Sequence, residues 1–176
     1  MLAAFLGACA AGTAPAAART FATREASLRR VFGPGAHLEA RTAWLSAAEC
    51  DSARQWAQTN FDRSPVTYWV ATRNDSLLGR AFLDTRTVRT MPATVLVAVD
   101  CRHQVLALEV LAFHEPTDYL PPRRWLDRLV GRPLTKRLRP GADVDGVSGA
   151  TLSARAFTAA VRSALALDRV VTGAAS

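Results

Sequence analysis

The sequence predicts an α+β fold: a twisted antiparallel sheet of hairpins, flanking helices and a long C-terminal helix. Three observations carry that expectation. Between Val66 and Phe113, β-branched and apolar segments follow each other in two pairs across short turn-like connections. Such spacing builds antiparallel hairpins, because parallel crossovers need a dozen or more residues. From about Leu152 to Val171 the apolar positions Phe157, Ala160, Val161, Ala164 and Leu165 recur at helical spacing. Finally, 176 residues, 49% apolar and 21% charged, suit a single globular core.

The elements follow in order. Residues 1–18 (MLAAFLGACAAGTAPAAA) are small, apolar and of low complexity, like the hydrophobic core of a secretory leader. The usual basic residues ahead of such a core are missing, since Leu2 follows Met1. Within it, Leu6-Gly7-Ala8-Cys9 resembles a bacterial lipobox, which makes Cys9 the candidate lipidation site. Ordinary cleavage after Ala16-Ala17-Ala18 and an apolar N-terminus with no signal role compete with it. A diacyl anchor would tether the domain to a membrane.

Residues 19–65 form a helical N-terminal segment in this expectation. Residues 23–32 predict a short amphipathic helix capped by Thr23, with Ala26, Leu28, Val31 and Phe32 inward. Gly33-Pro34-Gly35 ends it. Residues 46–59 predict a second helix, because Ser46 followed by Glu49 makes a capping box. From residue 66 to 176 the main domain follows. Residues 67–72 and 77–83 pair across Arg73-Asn74-Asp75-Ser76. Residues 93–99 and 105–113 pair across the turn 100–104. A loop over 114–122, a short helix over 123–130 stopped by Gly131, and an irregular basic stretch over 132–144 lead to the last helix.

The net charge is +7, and Lys136 is the sole lysine. The arginines are scattered and no aromatics interleave with them, so nucleic-acid binding is not expected. A basic surface suits an anionic membrane or an acidic redox partner instead. No apolar stretch reaches the length of a membrane span. With Cys9 set aside, Cys50 and Cys101 remain; an exported chain allows a disulfide between them, and two free thiols fit equally. No CxxC and no histidine pair points to a metal. Nothing resembles the Gly-x-Ser-x-Gly of a nucleophile elbow.

Chemistry concentrates in Asp145-Gly146-Val147-Ser148-Gly149-Ala150-Thr151, directly before the last helix. Glycines and small residues let a ligand approach the backbone. The start of a helix offers unpaired N–H groups and the positive end of the dipole, which favour phosphate. A glycine turn with a hydroxyl N-cap is the competing explanation of the same residues.

This stretch resembles the flavinylation motif of the FMN-binding domain family. That family includes the G subunit of Rnf electron-transport complexes and the C subunit of the sodium-pumping NADH:quinone oxidoreductase. Its pattern is Asp, two variable residues, Ser or Thr, Gly, Ala, then Thr or Ser, and every fixed position is met here. The resemblance covers roughly residues 66–166, including Trp125-Leu126-Asp127-Arg128-Leu129 and Gly131. Many members carry Glu-Thr-Pro-Gly after the second strand of the second hairpin, where this chain has Glu115-Pro116-Thr117-Asp118.

The resemblance implies covalent FMN. A dedicated FMN transferase takes FMN from FAD and esterifies it to the final hydroxyl, here Thr151. Ser148, Gly149 and Ala150 are then implied as phosphate neighbours. Asp145 is implied as a recognition residue for the transferase, and Glu115 as a neighbour of the flavin ring. The implied function is an exported electron carrier without catalytic residues of its own, in the periplasm or on the outer face of the cytoplasmic membrane, working with membrane redox partners or complex subunits. A non-redox docking or assembly module of the same fold is the competing function, and a flavin-dependent reductase a third. For His114, Tyr119, Trp125 and Trp69, loop or packing roles are expected over flavin contact.

Overall fold

The computed structural model describes residues 19–60 and 64–173. The leader and Cys9 lie outside the described residues. The architecture is α+β. One six-stranded antiparallel sheet runs in the order β1-β6-β5-β4-β3-β2, with β1 Arg19–Thr20, β2 His37–Ala43, β3 Val66–Arg73, β4 Ser76–Thr87, β5 Pro92–Asp100 and β6 Val105–Phe113. The helices are α1 Arg24–Phe32, α2 Ala47–Ala57, α3 Arg123–Leu126 and α4 Thr151–Thr172.

The period-2 pattern divides the core. On β5, Val95, Val97 and Val99 face one side and Leu96 and Ala98 the other; on β3, Tyr68 and Val70 oppose Trp69 and Ala71. The first side is covered by α2, α4 and the segment around α3; its core includes Phe113, Trp125, Leu129 and Phe157. The second is covered by α1 through Leu28 and Phe32. Along α4 the predicted positions Phe157, Ala160, Val161, Ala164 and Leu165 are all buried. In α1 the buried positions are Ser27, Leu28 and Phe32, whereas Ala26 is exposed. The helix is thus turned so that Ser27 rather than Ala26 meets the sheet.

Caps form where the sequence placed them. Thr23 Oγ1 accepts from Ala26 N–H at 3.2 Å, and the reciprocal Ser46–Glu49 box opens α2. The first hairpin turns on Asn74 and Asp75, both with positive φ, a two-residue turn matched to strand twist. Strand β2 was not anticipated within residues 19–65. Its residues HLEARTA are mostly exposed and lack apolar alternation. It exists because it pairs along its whole length with the edge of β3, a contact of backbone groups that leaves no side-chain signature.

Ion pairs anchor the flanking elements. The Glu109 carboxylate on β6 accepts from Arg30 of α1 at 2.6 Å and Arg123 of α3 at 2.9 Å. Asp168 of α4 is fully buried. It takes Arg80 of β4 at 3.3 Å and His103 of the β5–β6 turn at 2.5 Å. Cys50 and Cys101 are free thiols, on α2 and beyond the end of β5. Among the described residues no helix is long and apolar enough to cross a membrane.

Candidate functional site

The loop 145–150 delivers the chain into α4 through a tight turn. Gly149 has φ of +80°, a conformation strained for a residue with a Cβ. The Ala150 N–H donates to the Val147 carbonyl at 3.2 Å and closes the turn. No side chain caps the helix. The first N–H of α4 to find a backbone acceptor is that of Ala154, on the Ala150 carbonyl at 2.9 Å. Those of Thr151, Leu152 and Ser153 have no acceptor among the described residues. In helices α1 and α2 the third of these groups is capped, by Thr23 and Ser46 respectively. The start of α4 therefore presents three parallel donors at the positive end of a 22-residue dipole.

Thr151 is the first residue of this helix and is exposed. Its Oγ1 donates to the Val147 carbonyl at 3.1 Å. A cleft of about 150 Å³ opens beside it, lined by Gly149, Ala150, Thr151, Leu152 and Ser153 and, from across the chain, Arg89 and Tyr119. The Arg89 guanidinium stacks 4.2 Å from the centroid of the Tyr119 ring. Ser153 Oγ donates to the Tyr119 carbonyl at 2.5 Å, which ties the helix to the opposite wall. Beyond Leu152 lies a second, more open cleft of about 420 Å³ between residues 86–88 and 155–159.

Glu115 builds this site indirectly. It is buried, and one carboxylate oxygen accepts the N–H groups of Thr90 at 2.7 Å, Met91 at 2.9 Å and Arg89 at 3.2 Å. The carboxylate thereby holds the β4–β5 turn that carries Arg89. The N–H bonds from Thr90 and then Met91 pull the Glu115 carboxyl below its ordinary pKa, against its burial. A depressed carboxyl stabilises the fold above its unfolded pKa, and that stability is lost as pH falls through the lower folded value. Glu115→Gln is therefore expected to cost about 2 kcal/mol at neutral pH. In urea titrations the gap from wild type closes as pH drops below about 4. A gap unchanged at pH about 3 contradicts this account.

Asp145 and Ser148 lie on the adjacent side of the loop, where a cleft of about 310 Å³ is lined by residues 145–148 with Pro122, Arg124, Trp125 and Arg128. The Asp145 carboxylate pairs with Arg128 and is exposed. Its carbonyl accepts the indole N–H of buried Trp125 at 2.7 Å, so Trp125 fixes the entry to the motif from the core. The structure thus gathers Gly149, Ala150 and Thr151 in one cleft and places Ser148 and Asp145 in its neighbour. His114 is half-buried, and its N–H donates to the Pro92 carbonyl. Trp69 belongs to the opposite face of the sheet. Arg89 and Ser153 carried no signal in the sequence; they join the site only through the fold. A cleft of about 260 Å³ by Trp56, Lys136 and Arg169 shares no residue with the motif. No cluster of three or more metal-ligating side chains occurs among the described residues.

An antiparallel sheet backed by a helix with an open, basic start defines a small α+β domain with an anion seat. Residues 90–166, from the turn before β5 into α4, match the family model of the FMN-binding domain. Comparisons with curated proteins and with solved structures gave no match. The match supports flavin binding by this segment, and electron transfer as the general work of such a domain. The residues fit the cofactor: the cleft beside Thr151 offers three free N–H groups and a guanidinium, and no acidic side chain lines it. That donor set complements a phosphate anion, and the Tyr119 ring and the Leu152 side chain supply apolar walls for a flavin.

Proposed function

We propose that this chain is an exported electron-transfer flavoprotein that carries FMN as a phosphodiester on Thr151 Oγ1. The supporting observation is the placement of Thr151: an exposed hydroxyl on the first residue of a long helix whose N–H groups lack a cap. In the attachment, Thr151 Oγ1 bonds to the FMN phosphorus of FAD and gives up its proton, while the pyrophosphate bond breaks and AMP leaves. A transferase supplies that step, and the exposed Asp145, held by Trp125 and Arg128, is a surface feature for it to recognise. The N–H groups of Leu152 and Ser153 would hold the diester through hydrogen bonds. Arg89, held flat on Tyr119, adds a full positive charge.

Bound FMN supplies reversible uptake of two electrons and two protons; the protein holds it in place. A covalent link keeps the cofactor on a protein outside the cytoplasm, where free flavin is scarce. The apolar leader, with Cys9 in a lipobox-like setting, supports export and a lipid anchor. Membrane redox proteins are the partners proposed for such a carrier.

The test is the intact mass of the chain co-expressed with an active FMN transferase and exported. The expected result is a gain of one FMN less one water, fluorescent on a denaturing gel. Thr151→Ala is expected to abolish the gain, and Thr151→Ser to retain it. An unchanged mass, with the transferase active on another substrate, overturns the covalent reading and favours a non-redox docking module.

A further inference from the structure

The surface around Thr151 has a composition the flavin does not require. Met91 and Leu152 are both about half exposed, at 49% and 46%, on the β4–β5 turn and the first turn of α4. Arg89 and Arg155 each line one of the two clefts that Leu152 borders, Met91 follows Arg89 on the same turn, and Arg124 lines the cleft beside residues 145–148. All three arginines are exposed. None forms an ion pair with a carboxylate among the described residues. Arg30 and Arg123 pair with Glu109, Arg80 with Asp168, Arg86 with Asp84, Arg128 with Asp145 and Arg137 with Asp143, while arginines such as Arg19, Arg29, Arg102 and Arg139 also lack a carboxylate among the described residues but line none of the clefts at the start of α4.

Acids near the motif are committed. Glu115 is occupied by three backbone N–H groups, and Asp145 and Asp127 by arginines. Asp118, exposed beside Tyr119, is the remaining negative group of this surface.

Exposed apolar residues flanked by unpaired cations have the anatomy of a transient docking face. Such cations steer an oppositely charged partner to the face and speed encounter without demanding high affinity. We propose that the Met91–Leu152 face is the electron-exchange surface and that it receives an acidic redox protein, whose carboxylates meet Arg89, Arg124 and Arg155. This rests on the proposed flavin at Thr151, since it requires the electrons to leave beside that residue.

Two measurements test it. In the first, the full chain without flavin is titrated with poly-L-glutamate as an acidic probe and followed by amide NMR. Shifts are expected to concentrate at residues 89–91, 124 and 151–155, and to fall at least about fivefold in apparent affinity in Arg89→Gln/Arg155→Gln. Shifts centred elsewhere, such as Arg24 and Arg29 on the far face, or none, overturn the proposal. Vesicles of phosphatidylcholine with phosphatidylglycerol, titrated in parallel, overturn it in favour of a membrane contact if they perturb this face and poly-L-glutamate does not.

In the second, the flavin-loaded chain is photoreduced and mixed with ferricyanide or with hexaammineruthenium(III). Each reduced flavin gives two electrons to two metal complexes and releases two protons. The ferricyanide rate is expected to fall about fivefold from low to physiological salt, and the ruthenium rate to rise. In the double variant both slopes flatten. Equal slopes for the two oxidants, or reversed ones, overturn the proposal even where flavin is attached. A chain that acquires no flavin overturns the proposed function, and this inference with it.

Discussion

Arg162→Met is expected to lower the free energy of unfolding by about 3 kcal/mol. Arg162 sits in the middle of α4 at 5% exposure. No carboxylate pairs with it among the described residues. Its guanidinium instead donates to four carbonyls: Ala57 at 2.5 Å, Thr135 at 2.6 Å, Trp56 at 3.0 Å and Leu138 at 3.1 Å. Trp56 and Ala57 end α2, where carbonyls have no partner within the helix. Arg162 thus caps α2 from inside the protein and fastens residues 135–138 to both helices. Burial, reinforced by Arg139, pushes its pKa below the usual arginine value, so the charge is held at a cost.

Removing the cation relieves that cost but strands four acceptors, two of them at the negative end of a dipole, and the second effect dominates. Lysine cannot substitute, because one ammonium cannot span acceptors that a planar fork reaches from three nitrogens. Urea denaturation of Arg162→Met and Arg162→Lys checks this. A loss under about 1 kcal/mol in both would show that water or local collapse replaces the fork.

Gly79→Ala is expected to be at least as damaging, at about 3–4 kcal/mol, or to prevent accumulation of folded protein. Gly79 lies in β4, in the interior of the sheet, opposite Ala71 of β3 and Asp100 of β5. A methyl group there would stand 2.3 Å from the Val99 carbonyl oxygen and 3.2 Å from its carbon. Those are backbone atoms of a paired strand, so relief means breaking the β4–β5 ladder. Its φ of +156° adds strain. Gly131→Ala separates the two causes, since φ there is +75° but no atom lies within 4 Å of a new Cβ; strain alone costs about 1 kcal/mol. Denaturation midpoints of the two variants measure the difference. Similar losses would rule out the steric account.

Both positions bear on function through the scaffold. Gly79 keeps β4 against β5, and the turn joining those strands carries Arg89 into the Thr151 cleft. Arg162 fastens α4 to the end of α2, and the start of α4 is the proposed phosphate seat. Under the proposed attachment at Thr151, each variant is expected to lose flavin only in proportion to unfolding, whereas Thr151→Ala loses it while folded.

Most local features were legible in the chain. The Ser46–Glu49 box, the Thr23 cap, the Asn74-Asp75 turn and the apolar stripe of α4 are all written at spacings of one to four residues. The motif Asp145–Thr151 is equally local. What escaped was β2, because an edge strand held by backbone bonds imposes no pattern on exposed side chains. On α1 Leu28, Val31 and Phe32 turn inward as read, but Ser27 rather than Ala26 completes the buried face, since polarity alone does not fix the rotation of a short helix.

By itself, then, the sequence determined the kind of elements, their caps and the helix start that can seat a phosphate. These follow from interactions between neighbours in the chain, which residue type and spacing control. Tertiary structure decided that Glu115 holds the turn of Arg89 rather than facing the cleft, that Trp125 grips the Asp145 carbonyl, and that Arg162 caps a helix 105 residues away. Those contacts join segments far apart in sequence. They depend on how the sheet stacks its layers, and a guanidinium or carboxylate carries no mark of its distant partner until the core has closed around it.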